Sequence, residues 1–147
     1  QFFMKEEIKN KLTEILESIG YHFIELKFTG KKQEPVIEIL IDSDKGINIE
    51  DCRNASKELS EYFDTLDYSN YRLNVSSPGI GYPMRYDWQL KKAVNRKIEV
   101  KFSKENQITK VKGLLKDFDP EKLIVETEKG ESIEIERNQI QIVKEII

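Results

Sequence analysis

The sequence predicts an α+β chain in two parts. A helix–strand–strand–helix–strand domain spans 1–83, and a small all-β barrel, led by a linker or short helix, spans 84–147. Two observations carry this. The first half mixes helical spacing of its apolar residues with strand-like runs, and after Trp88 short β-type runs follow one another with turn residues between them.

Ile8, Leu12, Ile15, Leu16 and Ile19 recur at three- and four-residue spacing, which makes one face of a helix apolar. Gly20 follows and suits a left-handed C-cap. Tyr21 to Phe28 is rich in strand formers, and Gly30 to Pro35 reads as a polar hairpin connection. Val36 to Ile41 is a nearly unbroken apolar run, as expected of a central strand covered on both faces.

Asn48 is a good N-cap, and Glu50 and Asp51 place negative charge in the first turn of a second helix. Cys52, Ala55, Leu59 and Phe63 form its expected buried stripe, and Tyr71, Leu73 and Val75 alternate in a third strand. The second half offers Ile98 to Phe102, Lys110 to Phe118, Leu123 to Glu128, Ser132 to Glu136 and Ile140 to Val143. Five short strands in so few residues suggest an SH3-like or Sm-like barrel, which removes exposed edges by closing.

The chain has 147 residues, 38% of them apolar and 35% charged, which fits a soluble globular protein. No apolar run approaches the roughly 18 residues of a membrane span, and no signal peptide is visible. Met4 reads as a native start preceded by three extraneous residues. The expectation is a cytoplasmic monomer, without a membrane partner and without a cofactor. Cys52 is the single cysteine, so no internal disulfide framework exists.

Net charge is −3, unevenly spread. Residues 1–84 carry 10 basic and 15 acidic side chains, residues 85–112 carry 9 and 3, and residues 113–147 carry 5 and 9. The basic segment holds Arg85, Lys91, Lys92, Arg96, Lys97, Lys101, Lys104, Lys110 and Lys112. Such a segment inside an acidic chain suits a phosphate-facing surface, and it equally suits an ordinary solvated face. Tyr82, Tyr86 and Trp88 beside Lys91, Lys92, Arg96 and Lys97 either stack on unpaired bases or pin the linker between the domains.

Catalysis finds no positive support. His22 is the only histidine and reads as a partly exposed strand residue, and Cys52 reads as core packing. Asp42-Ser43-Asp44-Lys45-Gly46 resembles the start of a calcium loop, but its glycine is one position early and Arg53 stands where the closing glutamate belongs. A turn with Gly46 at positive φ is expected instead. In Ser76-Ser77-Pro78-Gly79, proline and glycine at the central positions favour a type II turn. Its amides and hydroxyls could meet a phosphate or a partner's backbone, or the turn could simply redirect the chain.

The string Gly46-Ile47-Asn48-Ile49-Glu50-Asp51-Cys52, followed by Ser56, Leu59, Phe63-Asp64 and Tyr71-Arg72-Leu73-Asn74-Val75-Ser76-Ser77-Pro78-Gly79, resembles the RimP ribosome maturation factors. The resemblance covers nearly the whole chain. The Gly-Ile…Asp-Cys and Val-Ser-Ser-Pro-Gly pair is specific at this separation. Two departures stand out: Asn74 replaces the usual glutamate, and Gly81-Tyr82 replaces an Asp-Arg pair.

The resemblance implies an α+β domain, an SH3-like barrel and no enzymatic activity. It implies a role in assembling the small ribosomal subunit, with contacts to ribosomal RNA and to a small-subunit protein near the decoding centre. The C-terminal domain is expected to hold that protein. The residues expected to face the ribosome are Ser76, Ser77, Pro78, Gly79, Arg85, Trp88, Lys91, Lys92, Arg96, Lys97, Lys101, Lys110 and Lys112. The competing expectation is an adaptor whose barrel binds a peptide in an aromatic groove.

Overall fold

The structure is a computed structural model that describes residues 2–68 and 70–147, with side chains described from residue 5 onward apart from residue 69. It divides into two compact units, Gln1–Pro78 and Gly79–Ile147.

The first unit runs α1 (Phe2–Ser18), β1 (His22–Lys31), β2 (Glu34–Asp42), α2 (Ile49–Phe63) and β3 (Arg72–Ser76). Helix α1 ends where Gly20 takes φ +92°. The Tyr21 amide donates to the Leu16 carbonyl at 2.9 Å and the Gly20 amide to Glu17 at 3.2 Å, a Schellman closure. The hairpin between β1 and β2 is tighter than the sequence suggests, because the strands run on to Lys31 and Glu34 and leave only two turn residues. Helix α2 starts in a full capping box. The Asn48 side chain accepts from the Asp51 amide at 2.8 Å, and the Asp51 carboxylate accepts from the Asn48 amide at 2.9 Å.

Strand β2 lies at the centre, antiparallel to β1 and parallel to β3. Ile37, Ile39 and Ile41 point into a core with Leu12, Leu16, Leu59 and Phe63. The expectation that β2 is covered on both faces fails within this unit. Glu38 is exposed and Val36 and Leu40 are half-exposed, so the helices cover one face only. Cys52 is also half-buried and does not join the buried stripe of Ala55, Leu59 and Phe63. The Asp42–Gly46 segment folds as the expected turn. Gly46 has φ +89°, and the Ser43 hydroxyl donates to the Gly46 carbonyl at 2.6 Å.

The second unit runs α3 (Asp87–Ala93), β4 (Lys97–Lys104), β5 (Gln107–Phe118), β6 (Lys122–Thr127), β7 (Ser132–Glu136), a 3-10 turn at Arg137–Gln139, and β8 (Ile140–Glu145). All five strands form one antiparallel sheet in the order β7-β6-β5-β4-β8. The closed barrel expected from the sequence is not formed by strand pairing. Among the described residues no ladder joins β7 to β8, and the two remain the sheet's edges. The five-residue β7 ends in the 3-10 turn before pairing of that kind begins.

Strand β5 starts earlier than its apolar pattern indicates, because Glu105 and Asn106 both take positive φ and close a two-residue hairpin of the type I′ kind. Alternate residues Ile98, Val100, Phe102, Leu115, Leu123, Val125, Ile135 and Val143 fill one face of the sheet. Helix α3 adds Leu90 and Ala93 to that core, so Asp87–Ala93 is part of the unit. Gly113 is required by space: a Cβ there would stand 2.3 Å from the Glu126 carbonyl oxygen.

Candidate functional site

The core alternation of β4 and β5 forces their charged residues onto the outer face of the second sheet. Lys97, Glu99 and Lys101 alternate with buried Ile98, Val100 and Phe102. Across the ladder Lys112 faces Glu99, and Lys110 faces Lys101. On the other side Lys144 also faces Glu99. Glu99 lies 3.9 Å from the Lys112 ammonium and 3.8 Å from that of Lys144.

Lys97 pairs with Glu128 at 3.6 Å, and Arg96 with Glu145 at 3.1 Å. Lys101 and Lys110 make no ion pair among the described residues. Like charges directly opposed across a ladder are unfavourable, so this pair is suited to an outside anion. Of the predicted cations the sheet therefore unites Lys97, Lys101, Lys110 and Lys112 and adds Lys144, which the sequence reading missed. Its signal was available, since Lys144 alternates with buried Val143.

The remaining cations sit on other elements. Arg85 precedes α3, and its amide donates to the buried Gln89 side chain at 2.6 Å. Lys91 is exposed on α3. Lys92 lies over the Trp88 ring at 5.8 Å, and Tyr86 stacks on Trp88 with centroids 6.4 Å apart and planes 6° from parallel. Trp88 is thus engaged at the start of its own helix.

The predicted type II turn at Pro78-Gly79 is not formed, since Gly79 does not take positive φ. The turn falls two residues later. Gly81 takes φ +97°, and the Tyr82 amide donates to the Gly79 carbonyl at 3.2 Å. Glycine at the third turn position accounts for the reversal there. Ser76, Ser77 and Pro78 belong to the first unit, while Gly79 opens the second.

In the first unit Ser76 and Ser77 line an open groove of about 610 Å³ between α2 and β3. Ile47, Asn48, Ile49, Cys52, Arg53 and Ser56 form one wall, and Leu73 to Ser77 form the other. Both halves of the sequence motif therefore meet on one surface. Burial, reinforced by the Asp51 charge, pushes the Cys52 thiol pKa up, which disfavours the nucleophilic thiolate. No group of residues that could hold a metal is present among the described residues.

Asp51 itself is structural. It accepts from the Asn48 amide and, at 2.8 Å, from the Tyr21 hydroxyl, and both bonds hold its carboxyl below the usual range. Residues 11–81, which take in β1, β2, α2, β3 and the whole groove, match the family model described as the RimP N-terminal domain. With both motif halves and this fold in place, residues 11–81 are a RimP N-terminal domain.

Proposed function

We propose that this protein is a cytoplasmic ribosome maturation factor needed for assembly of the small ribosomal subunit, which it binds in its immature state through ribosomal RNA and a small-subunit ribosomal protein near the decoding centre. The RimP N-terminal domain at residues 11–81 supports the ribosomal role. The observation that carries the RNA contact is the Lys101–Lys110 pair within a row of lysines on the outer sheet face. Flexible ammonium groups at strand spacing neutralise backbone phosphates without reading sequence.

Arg85, Trp88, Lys91, Lys92, Arg96, Lys97 and Lys112 extend this contact surface in the proposal, and Ser76 to Gly79 supply a further contact. The mode of action is chaperoning rather than bond-making. The factor favours one conformation of the assembling particle by binding it better than the finished one. Among the described residues no helix is long and apolar enough to cross a membrane.

Charge reversal at Lys91, Lys92, Lys97 and Lys101 tests the proposal. A large loss of co-sedimentation with small subunits is expected, with folding retained. Binding that is unchanged by the reversal contradicts the proposal and favours a peptide-binding adaptor.

A further inference from the structure

We infer that the groove between α2 and β3 is a separate protein-binding site that takes an extended, basic peptide by strand addition. This goes beyond the ribosomal reading and does not depend on it.

The groove runs along the edge of a strand. A strand seen face-on presents alternate residues, yet Leu73, Asn74, Val75, Ser76 and Ser77 line the groove consecutively. Strand β3 is an outer strand, and among the described residues its ladder is the one to β2. Its remaining backbone donors and acceptors therefore face the groove side, where only another backbone in extended form can match their repeat.

The other sheet edges are defended and this one is not. Strand β1 carries a register shift between Phe23 and Glu25, with Lys27 and Lys31 along it. Strand β8 is covered where Pro83 bridges Lys144 and the Met84 amide donates to the Val143 carbonyl at 2.7 Å. Strand β7 is no longer than β3 but carries Glu134 and Glu136. Strand β3 keeps an unbroken register from Arg72 to Ser76, with no proline and a single charge at its start. Bulges, lysines and prolines are the usual guards of a free edge.

The dimensions fit a short strand. Ile49, Cys52, Arg53 and Ser56 repeat at helical spacing along about 10 Å of α2. The five facing residues of β3 and its end cover about 13 Å. Four or so extended residues fill that length. Ile47, Ile49, Leu73 and Val75 offer apolar contact, and Ile49 is 73% exposed.

Charge selects the partner. The first unit, 1–78, carries 10 basic and 15 acidic residues. Arg53, the cation that lines the groove among the described residues, is already paired with Glu50 at 3.0 Å. An acidic unit attracts a basic segment and repels a second copy of itself.

Cys52, the single cysteine, lies in the groove and reports occupancy through its rate of alkylation. The full chain is titrated with a peptide of about ten alternating lysines and valines, a length that spans the strand-addition site. Alkylation is expected to slow severalfold, and the amides of Leu73 to Ser77 to exchange more slowly. Ser56→Trp fills the groove and abolishes the peptide's effect on amide exchange. Arg53→Glu, at an exposed position, strengthens it. The inference is overturned if Cys52 stays unprotected, or if a glutamate–valine or alternately N-methylated peptide protects equally. It is overturned too if a uridine oligonucleotide gives the protection, or if protection follows self-association of the chain alone.

Discussion

The Tyr71 hydroxyl donates to the Asp64 carboxylate at 2.7 Å and lies 3.3 Å from the Ser60 carbonyl, so one phenol ties the end of α2 to the start of β3. Tyr71 and Asp64 both belong to the motif that identifies the family, and neither lines the groove. Their role is to hold its two walls in register. Tyr71→Phe is expected to cost about 1 kcal/mol, as for a typical intramolecular hydrogen bond. Asp64→Ala should cost a similar amount, and the double variant less than the sum. Urea unfolding of the three variants measures this, and strict additivity would refute the coupling.

The same phenol gives an alkaline signature. Burial first, then the Asp64 bond and charge, push the Tyr71 pKa up to about 12. A phenol raised above its ordinary value near 10 stabilises the fold in its neutral form. That stabilisation is fully present below about pH 10 and lost as pH rises through about 12. Wild-type stability measured across this range should fall more steeply than that of Tyr71→Phe. Parallel curves would contradict the assignment.

At the opposite end of α2 the sign reverses. The Asp51 carboxyl is depressed by the Asn48 amide and the Tyr21 hydroxyl. Its stabilisation is present above the ordinary carboxylate pKa and is lost as pH falls through the depressed value. Asp51→Asn should therefore flatten the acid limb of the stability profile. Asn48→Ala should cost about 1 kcal/mol at neutral pH through loss of the cap.

Much of this was legible beforehand, and the exceptions have physical causes. Ile8, Leu12 and Leu16 announced α1, and Asn48 with Asp51 announced the start of α2. Local signals could not say which of two nearby glycines would turn the chain. Pro78-Gly79 obeys the turn rule, but Gly81 takes the positive φ. The run Val36 to Ile41 made β2 central without revealing that Val36 and Leu40 would lie on the less covered face. The β4–β5 hairpin was hidden because Glu105 and Asn106 adopt positive φ without a glycine.

The groove had no compositional signature. Its walls lie far apart in sequence, and only the pairing of two motif halves hinted that Cys52 and Ser76 share a surface.

The lysine face makes an unusual combined prediction. Lys101→Glu places an acid opposite Lys110 and replaces a like-charge pair with a favourable one. Stability should rise by roughly 0.2–1 kcal/mol, while affinity for small-subunit RNA falls. Thermal unfolding and filter binding on the same variant separate the two effects. A variant that loses both stability and binding would mean that the lysine serves the fold.

Gly113→Ala tests the second sheet. The added Cβ meets the Glu126 carbonyl at 2.3 Å, so β5 and β6 must part. A loss of about 1–3 kcal/mol is expected from overpacking, confined to the second unit when followed by amide exchange. An unchanged melting profile would show that the sheet yields at no cost.

Association of this protein with an unfinished small subunit through charge is the proposal on which the rest depends. Gradient fractionation of cell extract, with the protein detected across the ribosomal fractions at increasing salt, tests it most directly. Co-migration with free small subunits is expected, lost progressively as salt rises. Equal distribution over mature ribosomes, or a protein that stays at the top of the gradient at low salt, would contradict it.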